Sequence, residues 1–370
     1  MSKAVIMLLT MFLLPAFALA EGGANAEERS ISVYTKVTKW GQLPERFEIS
    51  GQDLPEGLAA ADFAITGRAA SWGTNDWHPF SCAVQSVSGA EGSWSLVPEG
   101  FPEKWFYVRE MKVSCAAHPE LDFALEDIGH TFTETADAFT DVEDHDSRLT
   151  AHVYLPEHAG PLPVVLVFHG YGDDHNLLSY RTSVAWAEPE SQAVRPCIVI
   201  APTIDTIYYG SEIARSRIYE GIMAYIDGLI GEGRADANRI YVMGNSFGGM
   251  ASFEIAEHHP GRFAAILALC PALNYSARGT VGLSGLTDIP VWIAQAEHDE
   301  TIPSEVGKAA AEALIKAGNA DVKLRIYSDE EMNACGAALG REQTYSFHHV
   351  ELAVMEDETY ARWLFDQARR

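Results

Sequence analysis

The stretch RIYVMGNSFGGM, residues 239–250, joins an apolar run to a serine flanked by glycines. Residues 239–243 suit a buried strand, and the residues from 250 to 257 have the spacing of a helix. A sharp turn from strand to helix strains the serine backbone and leaves no room for side chains beside it, as Gly244 and Gly248 allow. Such a turn would raise the Ser246 hydroxyl above a sheet, at the positive end of the helix. The stretch therefore predicts a nucleophilic serine, with an incidental serine in a glycine-rich turn as the alternative.

The pattern around this stretch alternates strands with helices. Continuous apolar runs suited to buried strands occupy residues 164–168, 198–201, 264–269 and 291–294, and residues 322–327 are predicted to form a last strand. Helical spacing occupies residues 211–230, 304–316 and 359–367. This alternation predicts an α/β fold, with a mostly parallel sheet flanked by helices.

The first part of the chain has a different pattern, with short alternating runs separated by turn residues. The runs are residues 32–38, 45–49, 62–65, 105–113 and 121–125. They predict a small all-β sandwich, and the Asp-rich residues 135–148 are expected to form an exposed connection. We predict a signal peptide at residues 1–20, an all-β sandwich domain at 21–140 and an α/β catalytic domain at 141–370.

The first twenty residues have the pattern of a secretory signal. Lys3 precedes an apolar run over residues 4–19, and Ala18-Leu19-Ala20 fits the small-x-small cleavage rule, so cleavage is expected after Ala20. The alternative, a membrane anchor, is disfavoured because the run is shorter than the ~20 residues that span a bilayer. The sequence predicts a secreted, periplasmic or other extracytoplasmic protein with no stable membrane insertion after signal removal.

The charge of the chain is strongly negative. There are 26 Lys and Arg against 52 Asp and Glu, a formal net charge of −26 at pH 7. Such a surface repels phosphate backbones and anionic lipid headgroups. Nucleic-acid partners are therefore excluded, and docking on an anionic membrane is disfavoured.

A nucleophilic serine needs a base and a carboxylate that orients it, in the chain order serine, acid, histidine for this kind of fold. The segment QAEHDETIP, residues 295–303, follows a predicted late strand, and Asp299 is the expected acid, with Glu297 and Glu300 as alternatives. The expected base is one of the two adjacent histidines near the end of the chain, His348 and His349.

Two backbone N–H groups are expected to form the oxyanion hole. One is that of Phe247, at the start of the predicted helix, and the other is that of Tyr171, in a His-Gly-x-Gly turn after the strand at residues 164–168. His169 is expected to support this turn. The polar residues Asp173, Asp174 and His175 are expected to be solvated rather than to bind a metal, and no metal or organic cofactor is expected.

The cysteine and tryptophan residues leave alternatives open. Cys82 and Cys115 form either a disulfide or two free thiols, whereas Cys197 and Cys270 end apolar runs and are expected in the core. The tryptophans of the first part could form an aromatic binding platform or belong to a sandwich core; these are Trp72, Trp77, Trp94 and Trp105.

With these residues located, the chain resembles secreted α/β-hydrolases of the esterase and predicted-peptidase group. That group includes polyhydroxybutyrate-depolymerase-like and feruloyl-esterase-like enzymes and relatives of prolyl oligopeptidases. The resemblance covers residues 148–367 and rests on four stretches, VFHGYG (167–172), DANRIYVMGNSFGGMASFEIA (236–256), AEHDETIP (296–303) and HHVELAVMEDETYARWLFDQ (348–367). Some members carry an N-terminal immunoglobulin-like domain, to which residues 30–135 are similar.

The resemblance bears on the choice of base. In that group the catalytic histidine is usually followed by x-x-Trp, but here Glu351 or Leu352 stands at that place. The spacing to Trp363 favours His348, and His349 stays the alternative.

The motifs and the resemblance together predict a secreted serine hydrolase that cleaves small or polymeric carboxylic esters through an acyl-enzyme. One alternative is a serine peptidase of the prolyl-oligopeptidase-like group. Another is an inactive binding protein that uses its N-terminal sandwich.

Overall fold

The described part of the chain forms two eight-stranded sheets. The computed structural model describes residues 29–70, 77–101, 105–172, 176–276, 278–337 and 347–369. The predicted signal peptide at residues 1–20 lies outside the described residues. No helix in the described part of the chain combines the length and the apolar character needed to cross a bilayer.

The first sheet has the strand order β7-β6-β3-β4-β5-β2-β1-β8. Neighbouring strands are antiparallel except for β1 and β8, which are parallel, so the sheet is mixed. Its strands are β1 (Ser30–Thr38), β2 (Gly41–Ser50), β3 (Phe63–Ala70), β4 (Trp77–Ala90), β5 (Ser93–Glu99), β6 (Val108–Cys115), β7 (Phe123–Ala124) and β8 (Ile128–Glu134).

This first sheet folds back on itself around a core. Strands β2 and β7 stand five places apart, which in a flat sheet would separate them by about 24 Å at roughly 4.8 Å per strand. The rings of Phe47 on β2 and Phe123 on β7 nevertheless have centroids 5.7 Å apart. The long strand β4 pairs with β3 through its first half and with β5 through its second, so this strand connects the two halves of the folded sheet.

The core of the first sheet decides the tryptophan and cysteine alternatives. Trp94 and Trp105 are buried in it, so a binding platform that includes them is wrong; Trp72 lies outside the described residues.

Cys82 and Cys115 are free thiols on β4 and β6, on opposite sides of β3. Two strand spacings, about 10 Å, exceed the ~7 Å that a disulfide bridges between Cα atoms, so the free-thiol alternative is correct.

The second sheet has the order β16-β15-β14-β13-β11-β12-β10-β9. The strands from β16 to β12 run parallel, whereas β10 is antiparallel to both β12 and β9. The strands are β9 (Thr140–Asp144), β10 (Leu149–Tyr154), β11 (Leu162–Phe168), β12 (Ile198–Pro202), β13 (Ala235–Asn245), β14 (Ala265–Leu269), β15 (Val291–Ala296) and β16 (Val322–Tyr327).

Helices cover both faces of the second sheet. Alternate residues of β11 belong to different cores, Val164 and Leu166 to one face and Val165 and Val167 to the other. This double burial explains the continuous apolar run of β11. The helices are α1 (Asn176–Ser179), α2 (Arg181–Val184), α3 (Pro189–Val194), α4 (Glu212–Gly231), α5 (Phe247–His258), α6 (Ser304–Lys316), α7 (Asp329–Ala337), α8 (Glu351–Val354) and α9 (Glu358–Phe365).

Two sequence expectations about the sheets need correction. The Asp-rich residues 135–148 contain the edge strand β9, whose residues are mostly exposed. An edge strand needs only backbone pairing on one side, so its polar side chains concealed it. Residues 121–125 form 3-10 turns around the two-residue strand β7 rather than a full strand.

Candidate active site

Ser246 occupies the turn between β13 and α5. Its backbone has φ 56° and ψ −117°, a strained conformation for a residue with a side chain. Its N–H donates to the carbonyl of Leu269 at 2.8 Å, and its own carbonyl accepts from the N–H of Ala272 at 3.0 Å. The neighbouring strand β14 and the turn after it therefore hold the strained residue from both sides.

Close packing beneath the turn explains its glycines. A Cβ at Gly244 would lie 2.6 Å from the carbonyl oxygen of Phe168, and one at Gly248 would lie 2.3 Å from the same atom. Phe168 ends β11, which runs parallel to β13 and pairs with it. A side chain at Gly244 would push β13 away from β11, and one at Gly248 would push α5 away from the end of β11.

His348 connects the serine to a carboxylate. Its Nε2 lies 2.8 Å from Oγ of Ser246, and its Nδ1 lies 2.9 Å from Oδ2 of Asp299. An ionised carboxylate only accepts hydrogen bonds, so Nδ1 carries the proton, and the Nε2 lone pair faces the serine hydroxyl. This is the tautomer that can remove a proton from Ser246.

Asp299 is buried in the turn after β15, with 5% of its surface exposed. Its Oδ1 accepts from the backbone N–H groups of Thr301 and Ile302, both at 2.8 Å. These two bonds orient the carboxylate toward His348 and offset the cost of burying its charge. The alternatives, Glu297 and Glu300, are exposed on the same turn.

His349 has a different set of contacts. Its Nδ1–H donates to Oε1 of the buried Glu351 at 2.7 Å, and its ring packs 5.4 Å from that of Tyr180. The structure thus brings His348, and not His349, to Ser246. Glu351, where the resembling group has tryptophan, is a partner of the second histidine.

The two residues expected to supply oxyanion donors lie on neighbouring strand ends. Phe247 is the first residue of α5, so its N–H has no acceptor within the helix. Tyr171 lies in the turn after β11 and is 64% exposed. Phe168 pairs with Gly244, and this register sets the turn beside Ser246.

His169 supports that turn as a neutral imidazole. Its Nδ1–H donates to the carbonyl of Gly170 at 2.6 Å, and its Nε2 accepts from the N–H of Ile204 at 2.9 Å. Both ring nitrogens are occupied, which agrees with a structural role.

Three residues near the site were not anticipated. The ring of Tyr209 stacks on that of Phe247 at 3.8 Å, and Arg215 on α4 forms a buried ion pair with Glu254 on α5 at 2.7 Å. The sequence carries a signal for this pair: Arg215 and Glu254 have opposite charges, and each lies on the otherwise apolar face of its helix. Nothing in the sequence near Tyr209 distinguishes it from Tyr208.

Cys270 lies beside the same constellation. Its Sγ donates to the carbonyl of His348 at 3.3 Å, and its Sγ lies within 4.8 Å of donor atoms of Asp299 and His348. Burial raises the pKa of Cys270 well above its usual value, which favours a protonated thiol that packs rather than ligates. The residues Asp173, Asp174 and His175, considered above for a metal, lie outside the described residues.

Comparison with known protein families matches a segment of the chain that contains Ser246 and Asp299. Residues 210–346 match the family described as phospholipase/carboxylesterase. Acylamino-acid-releasing enzyme 1 of Oryza sativa subsp. japonica is 26% identical over 137 residues, which are 35% of this chain and 16% of that enzyme. The matched region is thus about a sixth of the length of that relative.

A crystal structure of a thermostable esterase superposes on most of this chain. The TM-score is 0.72 at 20% identity, over 92% of this chain and 100% of the other. At 20% identity, this similarity shows a shared fold and does not by itself show a shared activity. Together the comparisons show an α/β fold and support a hydrolase of the esterase or peptidase class.

Proposed function

We propose that the protein is a serine hydrolase of carboxylic esters, with Ser246 as nucleophile, His348 as base and Asp299 as the acid that orients the base. One observation carries the proposal. At a strained strand-to-helix turn, the Ser246 hydroxyl meets the unprotonated nitrogen of an imidazole whose other nitrogen is bound to a buried carboxylate. A serine hydroxyl becomes a nucleophile at neutral pH when such a base removes its proton.

The reaction proceeds in two halves. Oγ of Ser246 attacks the ester carbonyl while its proton passes to Nε2 of His348, and Asp299 stabilises the imidazolium that forms. The bond to the alcohol oxygen breaks, and His348 returns the proton to the leaving alcohol. Water then gives a proton to His348 and attacks the acyl-enzyme; the bond between the acyl carbon and Oγ breaks, the acid leaves, and His348 returns the proton to Oγ of Ser246.

The negative charge of each tetrahedral intermediate needs donors that are already in place. The N–H groups of Phe247 and Tyr171 are proposed for this role, as a helix N-terminus and a neighbouring turn. The scheme uses no metal or organic cofactor.

Labelling with a fluorophosphonate tests the proposal. The mature chain, residues 21–370, is expected to form a covalent adduct on Ser246 and to hydrolyse p-nitrophenyl acetate or butyrate. Ser246→Ala should abolish labelling and lower turnover by a factor of roughly 10⁴–10⁶, whereas Ser216→Ala on α4 should change neither. Undiminished turnover in Ser246→Ala would sink the scheme.

The second candidate is a peptidase that removes acylated amino acids. The match to the rice acylamino-acid-releasing enzyme favours it, although it covers 35% of this chain. The same three residues could cleave an amide bond. A panel of p-nitrophenyl esters and N-acetyl-aminoacyl p-nitroanilides decides between the two: a higher kcat/KM on the anilides would favour the peptidase.

We further propose that the protein is exported and acts on small or polymeric esters outside the cytoplasm. The support is the signal pattern at residues 1–20. N-terminal sequencing of the exported chain should begin at Glu21. We also propose that the first sheet is related to immunoglobulin-like domains, because residues 30–135 are similar to the N-terminal domain that some members of the resembling group carry.

A further inference from the structure

Tyr209 bridges two backbone groups of the turn that carries Tyr171. Its hydroxyl oxygen lies 3.3 Å from the carbonyl oxygen of Gly170 and 3.3 Å from the amide nitrogen of Gly172. The hydroxyl donates to the first and accepts from the second. One phenol therefore holds the turn on both sides of Tyr171.

The bond to Gly170 has a consequence for the next N–H group. A trans peptide is planar, so the carbonyl of Gly170 and the N–H of Tyr171 point in opposite directions. That carbonyl accepts from the Tyr209 hydroxyl and from Nδ1–H of His169. Two donors on one oxygen fix the orientation of the peptide plane, and with it the direction of the Tyr171 N–H.

The ring of Tyr209 contacts the residue that carries the other expected donor. It stacks on Phe247 with centroids 3.8 Å apart and an interplanar angle of 25°, and it packs against Tyr171 at 4.7 Å. Tyr209 thus touches both halves of the oxyanion hole proposed above.

The backbone of Tyr209 is itself anchored to the nucleophile helix. The guanidinium of Arg215 donates to the carbonyls of Tyr208 and Tyr209. It also forms two bonds with the carboxylate of Glu254 on α5, at 2.7 and 2.8 Å. Both partners of this ion pair are 3% exposed, so water competes little for them.

From these contacts we infer that Tyr209 is a positioning residue for the oxyanion hole. Its hydroxyl sets the peptide that presents the Tyr171 N–H, and its ring fixes that turn against Phe247. The inference rests on the proposed function, because it assigns Tyr209 to the stabilisation of the intermediate that Ser246 forms. It acts through these two residues.

The test compares an oxygen ester with its thionoester in wild type and Tyr209→Phe. Sulfur accepts hydrogen bonds weakly, so a preference for the oxygen ester measures what the oxyanion hole contributes. Tyr209→Phe keeps the stacked ring and loses the hydroxyl. We expect kcat on the oxygen ester to fall roughly tenfold to hundredfold, with KM within about twofold, and the preference for oxygen over sulfur to shrink.

Tyr208→Phe is the matched control, because it removes the neighbouring phenol hydroxyl and should leave kcat and the oxygen preference unchanged. The inference is overturned if Tyr209→Phe keeps its kcat, or if both esters lose rate equally while the melting temperature drops. Labelling of wild-type Ser246 is measured first. An unlabelled wild type refutes the proposed function, whereas a labelled, active wild type with an unaffected Tyr209→Phe refutes this inference alone.

Discussion

Nε2 of His348 lies 2.8 Å from Oγ of Ser246, although 102 residues separate the two in sequence. Ser246 stands at the end of β13, and His348 precedes α8, close to the end of the chain. The carboxyl ends of parallel strands share one edge of a sheet, and distant loops meet there. This contact singles out His348 of the two adjacent histidines, which the spacing to Trp363 had only favoured.

Replacing each histidine by asparagine separates their roles. His348→Asn should lower kcat by a factor of roughly 10⁴–10⁶, because the base that activates Ser246 is lost. His349→Asn should cost less than about tenfold, because His349 is bonded to Glu351 and reaches the site only through packing. Steady-state hydrolysis of p-nitrophenyl acetate gives both values, and a larger loss in His349→Asn would contradict the assignment of the base.

Asp299→Asn tests the orienting carboxylate. The amide can still accept from the N–H groups of Thr301 and Ile302, so the turn should stay folded. Its side chain no longer stabilises the imidazolium, and kcat should fall by a factor of about 10⁴. The control is Glu300→Gln, an exposed carboxylate on the same turn whose loss should leave kcat unchanged. Equal rates in the two variants would remove Asp299 from the scheme.

Removing one partner of the buried ion pair between Arg215 and Glu254 should strongly destabilise the folded protein. Glu254→Gln leaves a buried guanidinium without its counter-charge and should lower the free energy of unfolding by about 3–5 kcal/mol. The double variant Arg215→Met, Glu254→Gln removes the stranded charge and should recover part of that loss. Urea unfolding measures all three proteins.

An exposed pair provides the comparison. Arg262 and Asp227 form an ion pair at the surface, where water and salt screen the charges. Arg262→Met should therefore change the free energy of unfolding by less than about 1 kcal/mol. A loss of similar size in Glu254→Gln would contradict the role given to burial.

Glu257 should make stability depend on pH. Its side chain is 8% exposed, and burial raises the pKa of Glu257 from 4.5 to about 7, although Arg278, 3.4 Å away, opposes the shift. Between these two pH values the folded protein binds a proton that the unfolded chain has lost. The resulting stability is complete below about pH 4.5 and is lost as the pH rises through about 7.

The size of this effect is about 1–3 kcal/mol, because partial solvation reduces the full shift. Glu257→Gln mimics the protonated carboxyl and should gain stability relative to wild type as the pH rises from about 5 to about 8. Glu312→Gln, at the exposed surface of α6, controls for the loss of one negative charge. Urea unfolding of the three proteins over that range checks the trend; parallel curves for wild type and Glu257→Gln would refute it.

Several features of the fold were predictable because they depend on neighbours along the chain. The buried run of β11, the strand and helix around Ser246, and the helical spacing of α4 and α6 all follow from periodicity and turn chemistry. The edge strand β9 was missed because backbone pairing, and not side-chain hydrophobicity, defines it. The free thiols of Cys82 and Cys115 likewise depend on which strand, β3, lies between them.

For the candidate site, the sequence by itself determined the glycine-flanked turn, the carboxylate after β15 and a choice of two histidines, since each has a local signal. Only the tertiary structure decided that His348 faces Ser246 while His349 faces Glu351. It also decided that the hydroxyl of Tyr209 holds the turn at Gly170 and Gly172. Local interactions specify strands, helices and turns, but which side chains meet depends on how distant segments pack, and no single segment encodes that packing.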